Sequence, residues 1–267
     1  MKFETIRYEV EDRIATITFD RPDKLNAVSP LMVRELRAAY AAVESDESVW
    51  IAIVTGAGRA FCAGADVTDI PADGAVLYEE PYLSTLPQWE APQEATPPFR
   101  SMTKPVLAAV NGMCCGAGLD LVTTGDIVIA SERAEFFDPH VSIGLVSGRE
   151  MVRLARVLPL NVAMRVALTG RHERLSAQRA YQLGMVSEVV PHERLLPRAR
   201  EIATLVNRNA PLAVRGTRLA IRKGLDLPLH EAEILAEAFR ERVLRTEDSK
   251  EGPRAFVEKR PPDWKCR

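Results

Sequence analysis

The 267-residue sequence lacks the features that mark several large classes of protein. It has no basic surplus, since its formal net charge is −2. We therefore expect no nucleic-acid partner, because a phosphate backbone is bound through a basic surface. No window approaches the run of about 18 apolar residues that crosses a membrane, and the N-terminus has no signal-peptide core. We expect a cytoplasmic protein without a membrane partner.

Cysteine and histidine are also scarce, with four of each. Neither residue type shows the spacing of a metal site, so the sequence implies no metal ion. The adjacent Cys114 and Cys115 are poor disulfide partners for each other and lie in an apolar, glycine-rich stretch. We therefore expect all four cysteines, Cys62, Cys114, Cys115 and Cys266, to be reduced and buried as small apolar residues.

What the sequence does contain is an ordinary globular balance, 46% apolar and 27% charged, which can supply a substantial core. Alternation predicts a hairpin over residues 6–19, and apolar residues at helical spacing predict a helix over residues 31–44. The next predicted elements are buried strands at 49–55, 106–110 and 126–130 and a helix at 119–124. This order predicts an α/β fold, in which ligands lie at the turns that follow strands.

The C-terminal third has a different pattern. From Pro191 onward the predicted strands cease, and amphipathic helices follow at residues 194–207, 211–223 and 229–246. This tail predicts either a cover for the core or an oligomer interface.

Residues 73–98 fit neither pattern, since they mix prolines, glycines, acidic residues and aromatic residues. A long loop of this kind predicts either a mobile lid over a pocket or surface decoration.

Two turns rich in glycine and alanine, at residues 56–67 and 111–120, each follow a predicted strand. Small residues allow a ligand to approach the backbone, and N–H groups at a helix N-terminus stabilise negative charge. Neither turn has the G-x-G-x-x-G motif where a dinucleotide site needs it. The nucleophile elbow G-x-S-x-G and the phosphate loop G-x-x-x-x-G-K-[ST] are absent as well. The turns therefore predict a site where two amides bind one oxyanion, or tight turns needed only for packing.

Further segments occur in a familiar order along nearly the whole chain. They are Asn26-Ala27, residues 60–66 (AFCAGAD), residues 104–112 (KPVLAAVNG), residues 168–171 (LTGR), residues 176–177, residues 180–190 (AYQLGMVSEVV) and residues 255–260 (AFVEKR). Together they resemble the crotonase superfamily of enoyl-CoA hydratases and isomerases. The resemblance implies a spiral of repeated ββα units over residues 1–195. It also implies a helical trimerisation region over residues 196–267, assembled as a trimer or a dimer of trimers.

The resemblance also implies a site for an acyl-CoA thioester, which is the substrate and not a resident cofactor. It assigns the oxyanion hole to the amides of Ala65 and Ala117. The family usually has glycine at the position of Ala117, but an added methyl group leaves the N–H able to donate. Phe256 and Lys259, three residues apart, are expected on one helix face. The implied CoA-binding residues are Lys24, Ala27, Ala63, Asp66, Val67, Phe256 and Lys259.

The resemblance also implies that Asp120 and His140 occupy the two positions where the hydratases of this family carry catalytic glutamates. Aspartate is one methylene shorter than glutamate, and histidine, with a reference pKa of about 6.5, suits proton exchange near neutral pH. We expect an enoyl-CoA hydratase, a lyase, that uses this pair. The alternative is a crotonase-type hydrolase of a thioester or β-diketone, with Glu150 as an auxiliary carboxylate. The third is a non-catalytic acyl-CoA binder, which is disfavoured because both positions keep a titratable residue.

Overall fold

The computed structural model describes residues 2–66 and 102–267. Val67 and the predicted lid or decoration at 73–98 lie outside these residues. The strands are β1 (Ile6–Glu11), β2 (Ile14–Phe19), β3 (Ile51–Gly56), β4 (Ala60–Cys62), β5 (Val106–Val110), β6 (Met113–Cys115), β7 (Ile127–Ser131), β8 (Glu135–Phe137), β9 (Leu175–Ser176) and β10 (Glu188–Val190). The α-helices are α1 (Pro30–Ser45), α2 (Ala117–Thr124), α3 (Arg149–Leu154), α4 (Leu160–Thr169), α5 (Ala177–Gln182), α6 (Leu195–Asn207), α7 (Pro211–Gly224), α8 (Leu229–Leu244) and α9 (Asp248–Val257).

The N-terminal hairpin and the first helix follow from local sequence, as predicted. Strands β1 and β2 pair antiparallel around Asp12 and Arg13, which both adopt a positive φ. Ser29 caps α1, since its hydroxyl accepts a hydrogen bond from the Met32 N–H. Pro30 occupies the first position of the helix, where a missing N–H costs nothing. The apolar stripe of α1 then packs into the main core.

From β3 to β8, consecutive strands alternate between two sheets. The large sheet has the order β1-β2-β3-β5-β7-β10, and the small sheet has the order β4-β6-β8-β9. In the pairs β3/β4, β5/β6 and β7/β8, the first strand joins the large sheet and the second joins the small one. All neighbours are parallel except β1 with β2 and β8 with β9. This repeat gives the chain a spiral course and brings the turns after β3 and β5 to one edge of the sheet.

The core lies on both faces of the large sheet. On one face, α1, α2 and the small sheet enclose Phe19, Tyr40 and Phe61, which are at most 1% exposed. On the other face, α6 packs Ala199 against strand residues that include Ile53. Helix α6 therefore covers the core, which is one of the two roles predicted for the C-terminal tail.

Helices α7 and α8 pack on each other, and Asp126, which directly precedes β7, forms ion pairs with two arginines of α7. Its carboxylate pairs with Arg218 at 2.6 Å and with Arg222 at 2.9 Å. The two helices and the residue that caps α7 leave large apolar side chains exposed: Ile221 (62%), Leu225 (68%), Leu229 (75%) and Ile234 (58%). The division into a core of residues 1–195 and a trimerisation region of residues 196–267 stays a prediction.

The cysteines are free, and three of them, Cys62, Cys114 and Cys115, are buried as predicted, whereas Cys266 is half-buried. Burial raises the pKa of the Cys62 and Cys115 thiols to about 12. Neither is therefore a thiolate nucleophile at neutral pH. Within the described ranges, no helix is long and apolar enough to cross a membrane.

Candidate active site

Two asparagine side chains hold the two glycine-rich turns in place. Asn111 accepts a hydrogen bond from the Gly56 N–H (3.1 Å) and donates to the Ala60 carbonyl (3.1 Å). Asn26, which is fully buried, donates to the Ala57 carbonyl (2.9 Å) and to the same Ala60 carbonyl (2.8 Å). These bonds satisfy backbone groups that irregular turns leave without a sheet partner. They explain why both asparagines belong to the segments that carry the family resemblance.

Two glycines bring the backbones of the turns together. Gly64 and Gly116 have φ values of +91° and +51°, where any other residue is strained. A Cβ placed on Gly64 would lie 3.9 Å from the Ala117 nitrogen, and one on Gly116 would lie 3.3 Å from the Gly64 Cα. Ala65 and Ala117 follow these glycines, and neither N–H donates to any residue that the structure describes. The adjoining turns thus present two backbone donors that have no acceptor among the described residues.

Asp120 lies in the first turn of α2, three residues after Ala117. It is 6% exposed, and its Oδ1 pairs with Nη1 of Arg153, a residue of α3, which packs across α2. No donor among the described residues reaches Asp120 Oδ2. Sequence reasoning missed Arg153, which lies 33 positions along the chain. The signal that could have revealed it is a cation among the apolar residues of a short helical stretch.

His140 follows β8 and is oriented by Asp138, a residue that sequence reasoning did not assign to the site. Asp138 is fully buried and accepts from the His140 N–H (2.8 Å), from the ring Nδ1 (2.7 Å) and from the Ser147 hydroxyl (2.6 Å). Because a carboxylate only accepts, Nδ1 carries the proton, and neutral His140 has its lone pair at Nε2. The ring Cε1 would lie 3.7 Å from a Cβ on Gly116. The imidazole therefore lies against the turn that precedes Ala117.

The pairing shifts the pKa of both partners. The hydrogen bond to Asp138 raises the pKa of His140; burial opposes this, and the charges of Asp138 and Glu150 add to it. Burial raises the pKa of Asp138, but hydrogen bonds from His140 and Ser147 outweigh burial, so the pKa is lowered. The result is an oriented imidazole beside a fixed carboxylate, an arrangement that can exchange protons near neutral pH.

Four of the predicted CoA-binding residues gather beside the first turn. The Ala27 N–H donates to the Lys24 carbonyl, and the Asp66 carboxylate pairs with Arg21 at 2.8 Å. Arg21 also donates to the Ala27 carbonyl (2.5 Å). Ala63 is half-buried and Lys24 is exposed. The structure thus brings together Lys24, Ala27, Ala63 and Asp66, while Val67 lies outside the described residues.

Phe256 lies in the last turn of α9, and Lys259 lies two residues beyond its end. The expectation that they share a helix face is wrong, because α9 ends at Val257 and Lys259 has a φ of +53°. The Lys259 N–H donates to the Phe256 carbonyl and the Arg260 N–H donates to the Ala255 carbonyl. This pair of bonds is the common way to close a helix with a left-handed residue. Phe256 is 85% exposed.

The fold and the site define an α/β spiral protein in which two backbone donors, without an acceptor in the described part of the chain, lie beside an oriented histidine. The chain belongs to the enoyl-CoA hydratase/isomerase family, which it matches over residues 9–267. This confirms the resemblance inferred from the sequence.

Named relatives and solved structures agree with the family assignment. The chain is 36% identical to a mevalonyl-coenzyme A hydratase of Aspergillus fumigatus, over 94% of this chain and 91% of that protein. It is 35% identical to an (E)-benzylidenesuccinyl-CoA hydratase of Thauera aromatica, over 97% and 98%. The crystal structure of an enoyl-CoA hydratase/isomerase from Mycobacterium paratuberculosis is 72% identical, with a TM-score of 0.92 and full coverage of both chains. The crotonase-like spiral predicted from the sequence is thereby confirmed.

Proposed function

We propose that this protein hydrates an enoyl-CoA thioester, with the amides of Ala65 and Ala117 as its oxyanion hole. The observation that carries the proposal is the oriented imidazole of His140 against the turn that precedes Ala117. When water adds to Cβ, negative charge develops on the thioester oxygen, and two N–H donors stabilise it. Loss of one such donor typically costs about 2.7–4 kcal/mol of transition-state stabilisation. The relatives named as acyl-CoA hydratases support the same reaction class.

In this mechanism His140 moves the proton. Its Nε2 takes a proton from water while the water oxygen bonds to Cβ and the double-bond electrons move toward the thioester oxygen. The imidazolium, stabilised by Asp138, returns that proton to Cα when the enolate collapses. Asp120 orients the water through Oδ2, while Arg153 holds its other oxygen. Atoms and electrons balance without a co-reactant, and one imidazole takes the place of a glutamate pair.

A hydrolase is the second candidate, and the Asp138–His140 pair is the observation that favours it. An aspartate that orients a histidine is an arrangement that activates water or a hydroxyl toward a carbonyl carbon. In this reaction the water oxygen bonds to the thioester carbon, and the same two amides stabilise the tetrahedral oxyanion. The CoA thiolate then leaves and takes up the proton from His140. The two reactions differ in which carbon the water reaches.

Mass spectrometry in heavy-oxygen water separates the two reactions. The purified protein is incubated with crotonyl-CoA and with a longer or cyclic enoyl-CoA, and His140→Gln is the matched control. Hydration adds one labelled water to the acyl chain of an intact thioester, whereas hydrolysis releases CoA and labels a carboxylate. A wild-type protein that binds these thioesters but gives neither product would favour the non-catalytic binder and contradict the proposal.

We propose that CoA lies along the first turn and meets the C-terminal residues of a neighbouring subunit in a trimer or a dimer of trimers. Support comes from the exposure of Phe256 and from the apolar residues exposed on α7 and α8. Light scattering should detect a trimer or hexamer, and Leu229→Glu should weaken it. We also propose a cytoplasmic location, because the three free, buried cysteines fit a reducing compartment. The proposed CoA contacts are Lys24, Ala27, Ala63, Asp66, Val67, Phe256 and Lys259.

A further inference from the structure

Two arginines of α3 carry buried N–H groups that no residue of the described chain satisfies. Arg149 Nε and Arg153 Nη2 are both buried, and neither has a hydrogen-bond acceptor among the described residues. Buried polar groups are nearly always hydrogen-bonded, and an unpaired donor on a charged group is more costly than one on a neutral group. Two such donors one helical turn apart therefore call for an acceptor that the described residues do not supply.

Helix α3 connects the two proposed catalytic positions. At one end, Ser147 lies just before the helix and donates to Asp138, which holds His140. At the other end, Arg153 pairs with Asp120. Arg149 and Arg153 are four residues apart, so they lie on one face of the helix. The face that carries Arg153 therefore adjoins the Asp120 carboxylate, and Arg149 lies one turn nearer to the segment that holds His140.

The chemistry of the two arginines favours a carboxylate as the missing acceptor. Asp120 engages only Nη1 of Arg153, and Arg149 has no ion pair in the described part of the chain. A guanidinium presents a planar fork of donors that matches the two oxygens of a carboxylate. A hydroxyl or keto oxygen can accept an N–H but carries no negative charge, so it would leave the positive charge of Arg149 unpaired.

We propose that the acyl group of the substrate carries a second carboxylate, distal to the thioester, which Arg149 and Arg153 bind. The inference rests on the proposed function, because a thioester oxygen held at the two amides places the acyl chain beside His140 and Asp120. It names the substrate class as CoA monothioesters of unsaturated dicarboxylic acids. Arg149 then determines specificity without taking part in the proton transfer.

The test compares matched acyl chains that differ only at their far end. Hydration of trans-2-enedioyl-CoA thioesters of five to eight carbons is measured against the enoyl-CoA of the same length. We expect a higher kcat/KM for the dicarboxylate at one or more lengths, and Arg149→Gln should lower that value about 10- to 100-fold, the range for a charged hydrogen bond. The monocarboxylate values should stay within about threefold. Arg156→Gln removes an exposed cation of the same segment that pairs with Asp226, and should change neither series.

A binding measurement keeps this inference separate from the proposed function. Calorimetry compares saturated adipyl-CoA with hexanoyl-CoA, which have no double bond to hydrate, in wild type and in Arg149→Gln. Tighter binding of adipyl-CoA that is lost in Arg149→Gln supports the carboxylate site, even if no thioester gains water. Equal affinities in wild type, or a preference that survives in Arg149→Gln, would overturn it. If Arg149 instead contacted a phosphate of CoA, Arg149→Gln would weaken the binding of both ligands equally. That result would also overturn the inference.

Discussion

Replacing Asp138 by asparagine should slow catalysis without displacing His140. Asparagine keeps the size of the side chain, and its oxygen can still accept from the His140 N–H and from Nδ1. What is lost is the negative charge of a fully buried group that bonds the ring at 2.7 Å. A hydrogen bond to a charged group contributes about 1.5–3 kcal/mol. Since about 1.36 kcal/mol is tenfold in rate, we expect kcat/KM to fall about 10- to 100-fold.

The pH profile distinguishes this role from a structural one. The bond to Asp138 raises the pKa of His140, and His140 must be neutral to accept a proton from water. The acidic limb of kcat/KM should therefore move to lower pH in Asp138→Asn. Ser147→Ala, which removes a hydrogen bond from the other carboxylate oxygen, should have a smaller effect. If Asp138→Asn kept wild-type activity and the acidic limb of its kcat/KM profile stayed at the same pH, this reasoning would be refuted.

Three further predictions concern stability. Arg153→Met leaves the buried Asp120 carboxylate unpaired, so the free energy of unfolding in urea should fall by about 3 kcal/mol; an unchanged value would contradict the pair. Asn111→Ala removes a side chain that binds both glycine turns, and should cost about 2–3 kcal/mol and reduce activity; full activity at unchanged stability would contradict that role. Because folding lowers the pKa of Asp138, the ionised carboxylate stabilises the fold at pH values above the unfolded pKa of about 3.9. This stabilisation is lost as pH falls through the pKa of the folded state. Because folding raises the pKa of His140, the protonated ring stabilises the fold at pH values below the unfolded pKa of about 6.5. This stabilisation is lost as pH rises through the pKa of the folded state. His140→Gln should thus lose most stability, relative to wild type, near pH 5 and least at alkaline pH.

Local sequence was enough to predict several of the long elements. The helix at 31–44 and the strand at 106–110 agree with α1 and β5 because their apolar residues repeat with the period of one structure. The short strands β4 and β6 were read only as parts of turns. Each has three residues within a glycine-rich turn, and its pairing comes from the neighbouring repeat. Such strands exist because of tertiary contacts, and periodicity cannot reveal them.

The candidate site was predicted in part. Asp120 and His140 were identified through their positions in family motifs, and Asp138 was passed over although it lies two residues from His140. Arg153 could not be predicted from spacing, because the packing of α3 on α2 brings it to Asp120. The shared face expected for Phe256 and Lys259 failed because α9 ends earlier than the motif suggested.

The central claim is that His140 carries the proton transfer while the backbone turns and the CoA path carry binding. The most direct measurement compares His140→Gln and Asp120→Asn with wild type, by kcat and by the Kd for an acyl-CoA. The account predicts a Kd within about threefold of wild type in both variants. It predicts a fall in kcat of about 10²- to 10⁴-fold for His140→Gln, the usual contribution of a general acid–base group. An equal loss of binding in both variants, or near wild-type kcat in His140→Gln, would contradict it.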